Sequence, residues 1–246
     1  MAVLLATFTV PAAQGFTAEA AIATQAGITE HHLPVTRTAR YYTRGAIARA
    51  REVWFACHGY GQLAQYFLRR FEGLDDGTRL FVAPEALSRF YLENPGGSHA
   101  TARVGATWMT REDRLREIDD YVAYLDAVYR EVMATRVPTE VRVVVLGFSQ
   151  GVATACRWAV LGQARVDELV LWAERMPPDL DLAQAATRLR STRVRLVAGT
   201  ADPALPPGAL DAERARLSEH GISSTVLTFP GGHELDSDML RRIAEG

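Results

Sequence analysis

The chain alternates short apolar runs with longer segments in which apolar residues recur at helical spacing. The runs are rich in β-branched and aromatic residues, which is typical of buried strands. They cover residues 52–57, 79–84, 141–147, 168–173, 194–199 and 224–230. An earlier stretch, residues 31–45, is interpreted as an edge strand or a hairpin.

The strongest helical signal lies in residues 111–134. Apolar residues recur there at helical spacing, namely Leu115, Ile118, Val122, Leu125, Tyr129 and Val132. Thr110, with Asp113 three residues later, forms a capping signature for this helix. Because strands alternate with helices along the chain, we predict an α/β fold with a mostly parallel, twisted sheet that is covered by helices on both faces.

The length of 246 residues suits one domain, which we predict over residues 28–246. Residues 1–27 are interpreted as an N-terminal extension of unknown role. Residues 94–108 form the one long irregular stretch, and long loops in compact domains are often functional. The span 174–193 is too short for a separate lid domain, so we expect open access to the site.

All 27 basic residues are arginines, and the formal net charge is -2. Without lysine the chain has no Schiff-base amine, phosphate-loop lysine or Ser-Lys dyad. No long run of basic residues indicates binding to nucleic acid or to an anionic membrane. No apolar run is long enough for a spanning helix. We therefore expect a small-molecule substrate as the partner, and the oligomeric state stays open.

Two cysteines, Cys57 and Cys156, lie in apolar patterns and are interpreted as core residues. Their spacing fits neither a disulfide framework nor a metal site, which is compatible with a reducing compartment. We accordingly expect a cytoplasmic location. The apolar N-terminal run keeps a secretory signal open as an alternative, although it lacks a basic segment before the apolar one.

Candidate chemistry begins at "GFSQG", residues 147–151, which joins a predicted strand to a predicted helix. A serine on such a turn holds its hydroxyl clear of the backbone, where a substrate can reach it. This makes Ser149 a candidate nucleophile. The alternative is a simple turn, because the motif by itself is short.

A serine nucleophile needs a base, and histidine suits that role near neutral pH. His233 follows Pro230-Gly231-Gly232 directly after the last predicted strand, so its loop can bring the imidazole to Ser149. The other histidines fit simpler roles at an early strand, a glycine turn, the irregular stretch or a helix end; they are His31, His32, His58, His99 and His220. His233 is therefore the candidate base.

The imidazole in turn needs a carboxylate that fixes its tautomer. Asp202 follows the strand at 194–199 and is the candidate acid. The alternative for Asp202 is an Asx-type turn before Pro203. Glu174, after the strand at 168–173, is the rival carboxylate.

The order Ser149, Asp202, His233 is the order of α/β-hydrolases. Together with it, the segments "HGYGQ", "GFSQG", "GTADPALP" and "FPGGHE" resemble the phospholipase/carboxylesterase branch of that fold, which includes the acyl-protein thioesterases. The resemblance runs from about Ile28 onward. It implies an oxyanion hole formed by the backbone N–H groups of Tyr60 and Gln150. A serine mechanism needs no metal or organic cofactor, and no two of the six histidines have the spacing of a catalytic zinc site.

One segment departs from the resemblance. Relatives with thioesterase activity tend to have a serine-glycine pair where this chain has Trp172-Ala173-Glu174. This difference bears on acyl or protein-substrate specificity and not on the nucleophile.

These observations predict a serine carboxylic-ester hydrolase that acts through an acyl-enzyme on small to medium acyl or aromatic esters. Acyl thioesterase, lysophospholipase or peptidase activity with the same triad is the alternative, and a binding protein on a hydrolase scaffold is an alternative of another class. Apolar residues near strand ends are candidates for the acyl pocket, namely Phe90, Tyr91, Trp108, Met109, Trp172, Met176 and Leu205. For Trp108, a role as the core anchor of the helix at 111–134 is the competing interpretation.

Overall fold

The computed structural model describes residues 28–93, 99–134 and 140–246. The chain divides into two units, Met1–Thr38 and Ala39–Gly246. The described part of the first unit, residues 28–38, contains no helix or strand and is exposed. The predicted N-terminal extension, residues 1–27, lies outside the described residues. All helices and strands below belong to the second unit.

The second unit contains a seven-stranded sheet and a separate two-stranded sheet. The strands are β1 (Tyr41–Arg44), β2 (Glu52–Cys57), β3 (Arg79–Pro84), β4 (Ser88–Tyr91), β5 (Val104–Thr107), β6 (Arg142–Phe148), β7 (Glu168–Trp172), β8 (Arg193–Gly199) and β9 (Ser224–Phe229). The large sheet has the order β1-β3-β2-β6-β7-β8-β9. Only β1 is antiparallel to its neighbour, so the carboxyl ends of the other six strands meet at one edge.

Helices cover both faces of this sheet. They are α1 (Ala64–Leu68), α2 (Arg114–Met133), α3 (Gln150–Leu161), α4 (Leu182–Leu189), α5 (Ala209–Glu219) and α6 (Ser237–Glu245). Helices α2 to α5 pack on one face, and α1 and α6 pack on the other. Between β7 and β8 the described chain contains only α4, with no inserted domain.

The strands alternate their side chains between the two cores. Val143 and Val145 of β6 enter the core under α2 to α5, whereas Val144 and Leu146 enter the core under α1 and α6. Successive side chains of a strand point to opposite faces, so a central strand with a helix layer on each side must be apolar at every position. This is why the strands were recognisable as continuous apolar runs.

The predicted parallel strands are confirmed to within one residue at each end. The predicted edge strand is confirmed for β1, but residues 31–40 form no strand. The stretch 94–108 is not irregular throughout, because β5 lies inside it and pairs antiparallel with β4. Residues 94–98 of that stretch lie outside the described residues.

The predicted helix at 111–134 is confirmed, but its capping signature is wrong. The helix begins at Arg114, and the residue before it, Asp113, is left-handed, with φ 46° and no capping bond from its side chain. Glu117 instead reaches back over the first turn and accepts a 2.6 Å hydrogen bond from the backbone N–H of Thr110. The Thr110 hydroxyl accepts from the N–H of Glu112 at 3.2 Å within its own loop, and it also lies 3.3 Å from the Oε2 of Glu117.

Candidate active site

Ser149 stands at the corner between β6 and α3. Its backbone has φ 53° and ψ -122°, a strained conformation for a residue with a side chain. The corner is tight, since a Cβ at Gly151 would lie 2.2 Å from the carbonyl oxygen of Cys57. The backbone N–H of Ser149 donates to the carbonyl of Trp172 at 2.8 Å. These contacts hold the hydroxyl at the carboxyl edge of the sheet, as in a nucleophile elbow.

The imidazole of His233 lies directly beside this hydroxyl. Its Nε2 is 2.9 Å from the Oγ of Ser149. The ring packs against the ring of Phe148, with centroids 5.1 Å apart, and its side chain is 32% exposed. The residue before the nucleophile therefore supports the ring, while solvent and substrate still reach it.

Asp202 lies on the other side of the imidazole. Its Oδ2 and Oδ1 are 2.9 and 3.1 Å from the Nδ1 of His233, and its side chain is fully buried. Oδ1 also accepts a 2.8 Å hydrogen bond from the N–H of Ala204. This bond is the Asx-type turn that is the alternative role for Asp202. The carboxylate thus forms the turn and contacts the imidazole at the same time.

Glu174, the rival carboxylate, does not contact His233 in the structure. Its Oε1 accepts a hydrogen bond from the N–H of Arg175 at 2.9 Å. The geometry brings Asp202, and not Glu174, to the imidazole.

The loops that carry Asp202 and His233 are joined by their backbones. The N–H of Ala201 donates to the carbonyl of Gly231 at 2.8 Å. A Cβ at Gly199 would lie 2.3 Å from that same carbonyl, so only glycine allows the two loops to approach so closely. The indole Nε1 of Trp172 donates to the carbonyl of Glu234 at 2.8 Å and holds the second loop against β7.

The glycine turn after β2 faces the nucleophile corner. Gln62 holds this turn through its Oε1, which accepts from the N–H of Gly59 at 2.8 Å. The N–H of Gly61 donates to the carbonyl of Ala106 at 2.9 Å. Gln62 was missed as a functional residue, although it ends the "HGYGQ" segment.

The two predicted oxyanion donors lie on the elements that the resemblance assigned to them. Tyr60 belongs to the glycine turn, and its exposed ring stacks on Phe90 at 5.1 Å. Gln150 is the first residue of α3, where a backbone N–H has no acceptor inside the helix. A helix N-terminus also favours negative charge, which suits an oxyanion.

The side chain of Gln150 ties the nucleophile corner to the segment after β5. Its Nε2 donates to the Oγ1 of Thr107 at 2.9 Å and to the carbonyl of Met109 at 3.0 Å. Its Oε1 accepts from the N–H of Trp108 at 3.2 Å. Because both the Oε1 and the Nε2 of its side-chain amide form hydrogen bonds, Gln150 is fixed in one orientation.

His58 heads the glycine turn, and its ring is fully buried. Its Nε2 accepts from the N–H of Ala86 at 3.1 Å, so Nδ1 carries the proton that bonds the carbonyl of Gly59 at 2.8 Å. Burial lowers the pKa of His58 from 6.5 to about 4, because an imidazolium would lose its hydration there. The neutral ring thus makes two hydrogen bonds to the backbone and shapes the turn, as predicted for this residue.

A cavity of about 600 Å³ opens next to Gln150. Two of the predicted pocket residues, Met109 and Met176, line it. Leu205 lines a second cavity, of about 440 Å³, together with Asp202. Phe90 and Tyr91 lie on β4 in the small sheet, where Tyr91 is exposed.

The expectation that Trp108 and Trp172 line the acyl pocket is corrected by the structure. Trp108 is 2% exposed and Trp172 is fully buried, and each belongs to one of the two cores. Both indole N–H groups are also used in hydrogen bonds to main-chain carbonyls. For Trp108 the structure favours the competing interpretation, that of an anchor before α2.

The groups at this edge of the sheet match acyl-transfer chemistry in their composition. They comprise a hydroxyl, an imidazole and a buried carboxylate that contact one another in that order. Around Ser149, the described residues bring together no set of three histidine, cysteine or acidic side chains at metal-ligand distances. None of the described helices is both long and apolar enough to cross a membrane.

Comparisons with known proteins agree with this geometry. Residues 45–245 match the phospholipase/carboxylesterase family model, which covers the whole site. A search of the curated proteins found no match.

Many solved structures share the fold. Acyl-protein thioesterase 2 from Zea mays is 17% identical, with a TM-score of 0.64, over 85% of this chain and 97% of that one. The Bacillus cereus carboxylesterase is 16% identical, with a TM-score of 0.63, over 84% and 92%. A carboxylesterase from Mesorhizobium loti is 20% identical, with a TM-score of 0.63, over 85% and 95%. At these identities the likeness shows the fold, that of an α/β-hydrolase.

Proposed function

Since this chain belongs to the phospholipase/carboxylesterase family of ester hydrolases, we propose that it is a carboxylesterase that works through an acyl-enzyme on Ser149. The observation that carries the proposal is the continuous contact from Ser149 Oγ through His233 to Asp202, at 2.9 Å on each side of the ring. The roles of these residues follow from that arrangement.

In the first half-reaction the Oγ of Ser149 attacks the ester carbonyl while Nε2 of His233 takes its proton. The carbonyl π electrons move onto oxygen and then return to expel the alcohol, which receives the proton from His233. In the second half-reaction a water attacks the acyl carbonyl while His233 takes its proton; the bond from the acyl carbon to Ser149 Oγ then breaks, Oγ receives the proton from His233, and the carboxylic acid is released. Asp202 holds the Nδ1–H tautomer and stabilises the imidazolium in both halves.

Two backbone N–H groups, those of Tyr60 and Gln150, donate hydrogen bonds to the substrate oxygen and stabilise its negative charge. Such donors act best when they are fixed before the reaction, because no reorganisation is then needed. The hydrogen bond from Gly59 to Gln62 and the bonds made by the Gln150 side chain provide this rigidity. Each donor of this kind supplies about 3 kcal/mol of transition-state stabilisation.

The substrates that we propose are esters of small to medium acyl groups or aromatic acids. The cavity next to Gln150 has the volume for such a group. Acyl-protein thioesterase 2 shares the fold, so thioesters are the natural comparison substrates. Amides complete the set, since a peptidase would use the same three residues.

The experiment compares wild type and Ser149→Ala on p-nitrophenyl butyrate, butyryl thioester and butyryl anilide. We expect rapid ester hydrolysis by wild type and none by Ser149→Ala, with both proteins giving the same circular dichroism spectrum. A fluorophosphonate probe followed by peptide mapping should modify Ser149. The matched control is Ser218→Ala, an exposed serine on α5.

Three results would overturn the proposal. The first is labelling of a different serine, and the second is ester hydrolysis that survives in Ser149→Ala. The third is a wild-type protein that binds esters without releasing an alcohol, as a binding protein on this scaffold does.

A further inference from the structure

The cavity beside Gln150 runs along one face of α3. Gln150, Ala153 and Arg157 line it, and their spacing of three and four residues places them on the same side of a helix. Arg157 follows Ser149 by about two turns, which is about 12 Å along the axis. The cavity wall therefore starts at Gln150, the residue after the nucleophile, and extends along α3 to Arg157, which is about the length of a medium acyl chain.

The lining of this cavity combines an apolar wall with an excess of positive charge. The apolar part consists of Met109, Ala153, Met176, Pro177, Pro178 and Ala212. The charged part consists of Arg114, Arg157, Arg175 and Arg216 with Glu174, Asp179 and Glu213. Four arginines against three carboxylates leave one positive charge without a negative counterpart in the wall.

Two of these arginines, Arg157 and Arg114, share a single carboxylate. Asp179 is the carboxylate partner of both, at 2.8 Å from Arg157 and 2.6 Å from Arg114. Glu213, by contrast, is matched by Arg216 alone at 2.7 Å. One carboxylate shared between two guanidinium groups leaves donor capacity for a second anion.

Arg157 is an unusual residue to find in a cavity wall. Its side chain is only 3% exposed, and Tyr121 and Met109 contact its Nη1 at 3.3 and 3.4 Å. A buried charge is costly unless it is well paired, yet the carboxylate of Asp179 is 42% exposed and bound to Arg114 as well. An anionic ligand in the cavity would complete the pairing of this guanidinium.

The position of the cavity also indicates which part of an ester enters it. His233 must reach the leaving alcohol, so the alcohol lies on the His233 side of the carbonyl. The wall of this cavity contains Gln150 but no residue of the loop that carries His233. The group that enters it is therefore the acyl chain.

We propose that the acyl group of the preferred substrate ends in a carboxylate, which Arg157 and Arg114 bind at the far end of this cavity. The substrate class is then the monoesters of medium-length dicarboxylic acids. This inference rests on the proposed esterase function and adds the chemistry of the acyl group.

The test compares p-nitrophenyl hexanoate with the mono-p-nitrophenyl ester of adipic acid, two substrates of equal chain length. We expect wild type to show a kcat/KM for the adipate ester that is higher by about ten-fold, because a charge-assisted bond is gained. The ratio should fall as salt is added, since salt screens a partly exposed charge pair.

Two variants should move this ratio in opposite directions. Arg114→Gln removes one cation and should lower the ratio about five-fold. Asp179→Asn removes the competing carboxylate and should raise it. If Arg114, Arg157 and Asp179 had a purely structural role, the two variants would not change the kcat/KM ratio in opposite directions. Arg116→Gln, on the same helix but outside the cavity wall, is the matched control and should leave the ratio at the wild-type value.

Binding to Ser149→Ala, measured by calorimetry, tests the cavity without catalysis. Monomethyl adipate should bind more tightly than methyl hexanoate. Equal binding, or Ser149-dependent hydrolysis with no preference for the adipate ester, overturns this inference and leaves the esterase proposal standing. Ester hydrolysis that persists in Ser149→Ala overturns the esterase proposal, while the binding comparison still decides the inference.

Discussion

The indole Nε1 of Trp108 donates a 2.8 Å hydrogen bond to the main-chain carbonyl of His58. The two rings also pack together, with centroids 5.1 Å apart, and both are buried. His58 begins the glycine turn that carries Tyr60, and Trp108 lies between β5 and α2. Through this contact, the segment before α2 holds the glycine turn in place.

Trp108→Ala should therefore lower the free energy of unfolding by about 3–5 kcal/mol, as expected for a large aromatic lost from a core. Trp108→Phe keeps most of the packing and loses the hydrogen bond, so it should cost only about 1–2 kcal/mol. Urea denaturation measures both. Preference among acetate, butyrate and octanoate esters should stay at the wild-type pattern in Trp108→Phe. A changed ester preference in Trp108→Phe or Trp108→Ala, with little loss of stability, would instead assign Trp108 to the acyl pocket.

Asp202→Asn should lower kcat by orders of magnitude, about 10⁴-fold where this change has been made in a serine triad. The reason is the tautomer. An asparagine can still accept from the N–H of Ala204, but an amide N–H that faces His233 requires Nδ1 to become an acceptor. Steady-state kinetics on an activated ester measures the loss, and the melting temperature checks the fold. The same loss in Glu174→Gln, with Asp202→Asn active, would assign the acid to Glu174.

His58 should make stability depend on pH below neutrality. Its pKa falls from 6.5 to about 4 on burial, so between these values the unfolded chain binds a proton that the folded protein does not. The stabilisation is complete above pH 6.5 and is lost as the pH falls toward 4. The loss is up to about 3 kcal/mol from this one residue.

The measurement for His58 is urea denaturation of wild type and His58→Gln at several pH values between 4 and 7. A glutamine can bond Ala86 and Gly59 in the manner of the neutral ring but does not titrate. We expect its stability to change less than that of wild type over this interval. His220→Gln, at an exposed helix end, is the control and should follow wild type. Parallel curves for wild type and His58→Gln would contradict the assignment.

Neither cysteine should react with thiol reagents in the folded protein. Cys57 and Cys156 are fully buried, and burial raises the pKa of Cys57 to about 12 and raises that of Cys156 as well. Thiolate, the reactive form, is therefore scarce at both positions. Titration with Ellman's reagent should find no reactive thiol in buffer and both in guanidinium chloride. A fast-reacting thiol in buffer would show that one core opens locally.

Much of the fold was visible in the sequence because it follows from local periodicity. A strand covered on both faces must be apolar throughout, and β6, with its valines, shows this pattern within a single short window. The candidate nucleophile, base and acid were found in the same way, since each follows a recognisable strand. Parallel strands end at one edge, so Ser149, Asp202 and His233 converge without further information.

The sequence by itself thus determined the alternation of elements, the parallel sheet and the three residues at its edge. Only the tertiary structure decided that Trp108 and Trp172 are buried, because an indole beside a strand end fits a core and a pocket equally well. It also decided that neither Thr110 nor Asp113 caps α2, and that Glu117 in the first turn of the helix accepts a hydrogen bond from the N–H of Thr110. The arginine-lined cavity likewise depends on the folded chain, since Arg114, Arg157 and Asp179 lie on separate segments and meet only when α2 and α3 pack together. Periodicity reports on neighbours along the chain, and these contacts join residues that are distant in it.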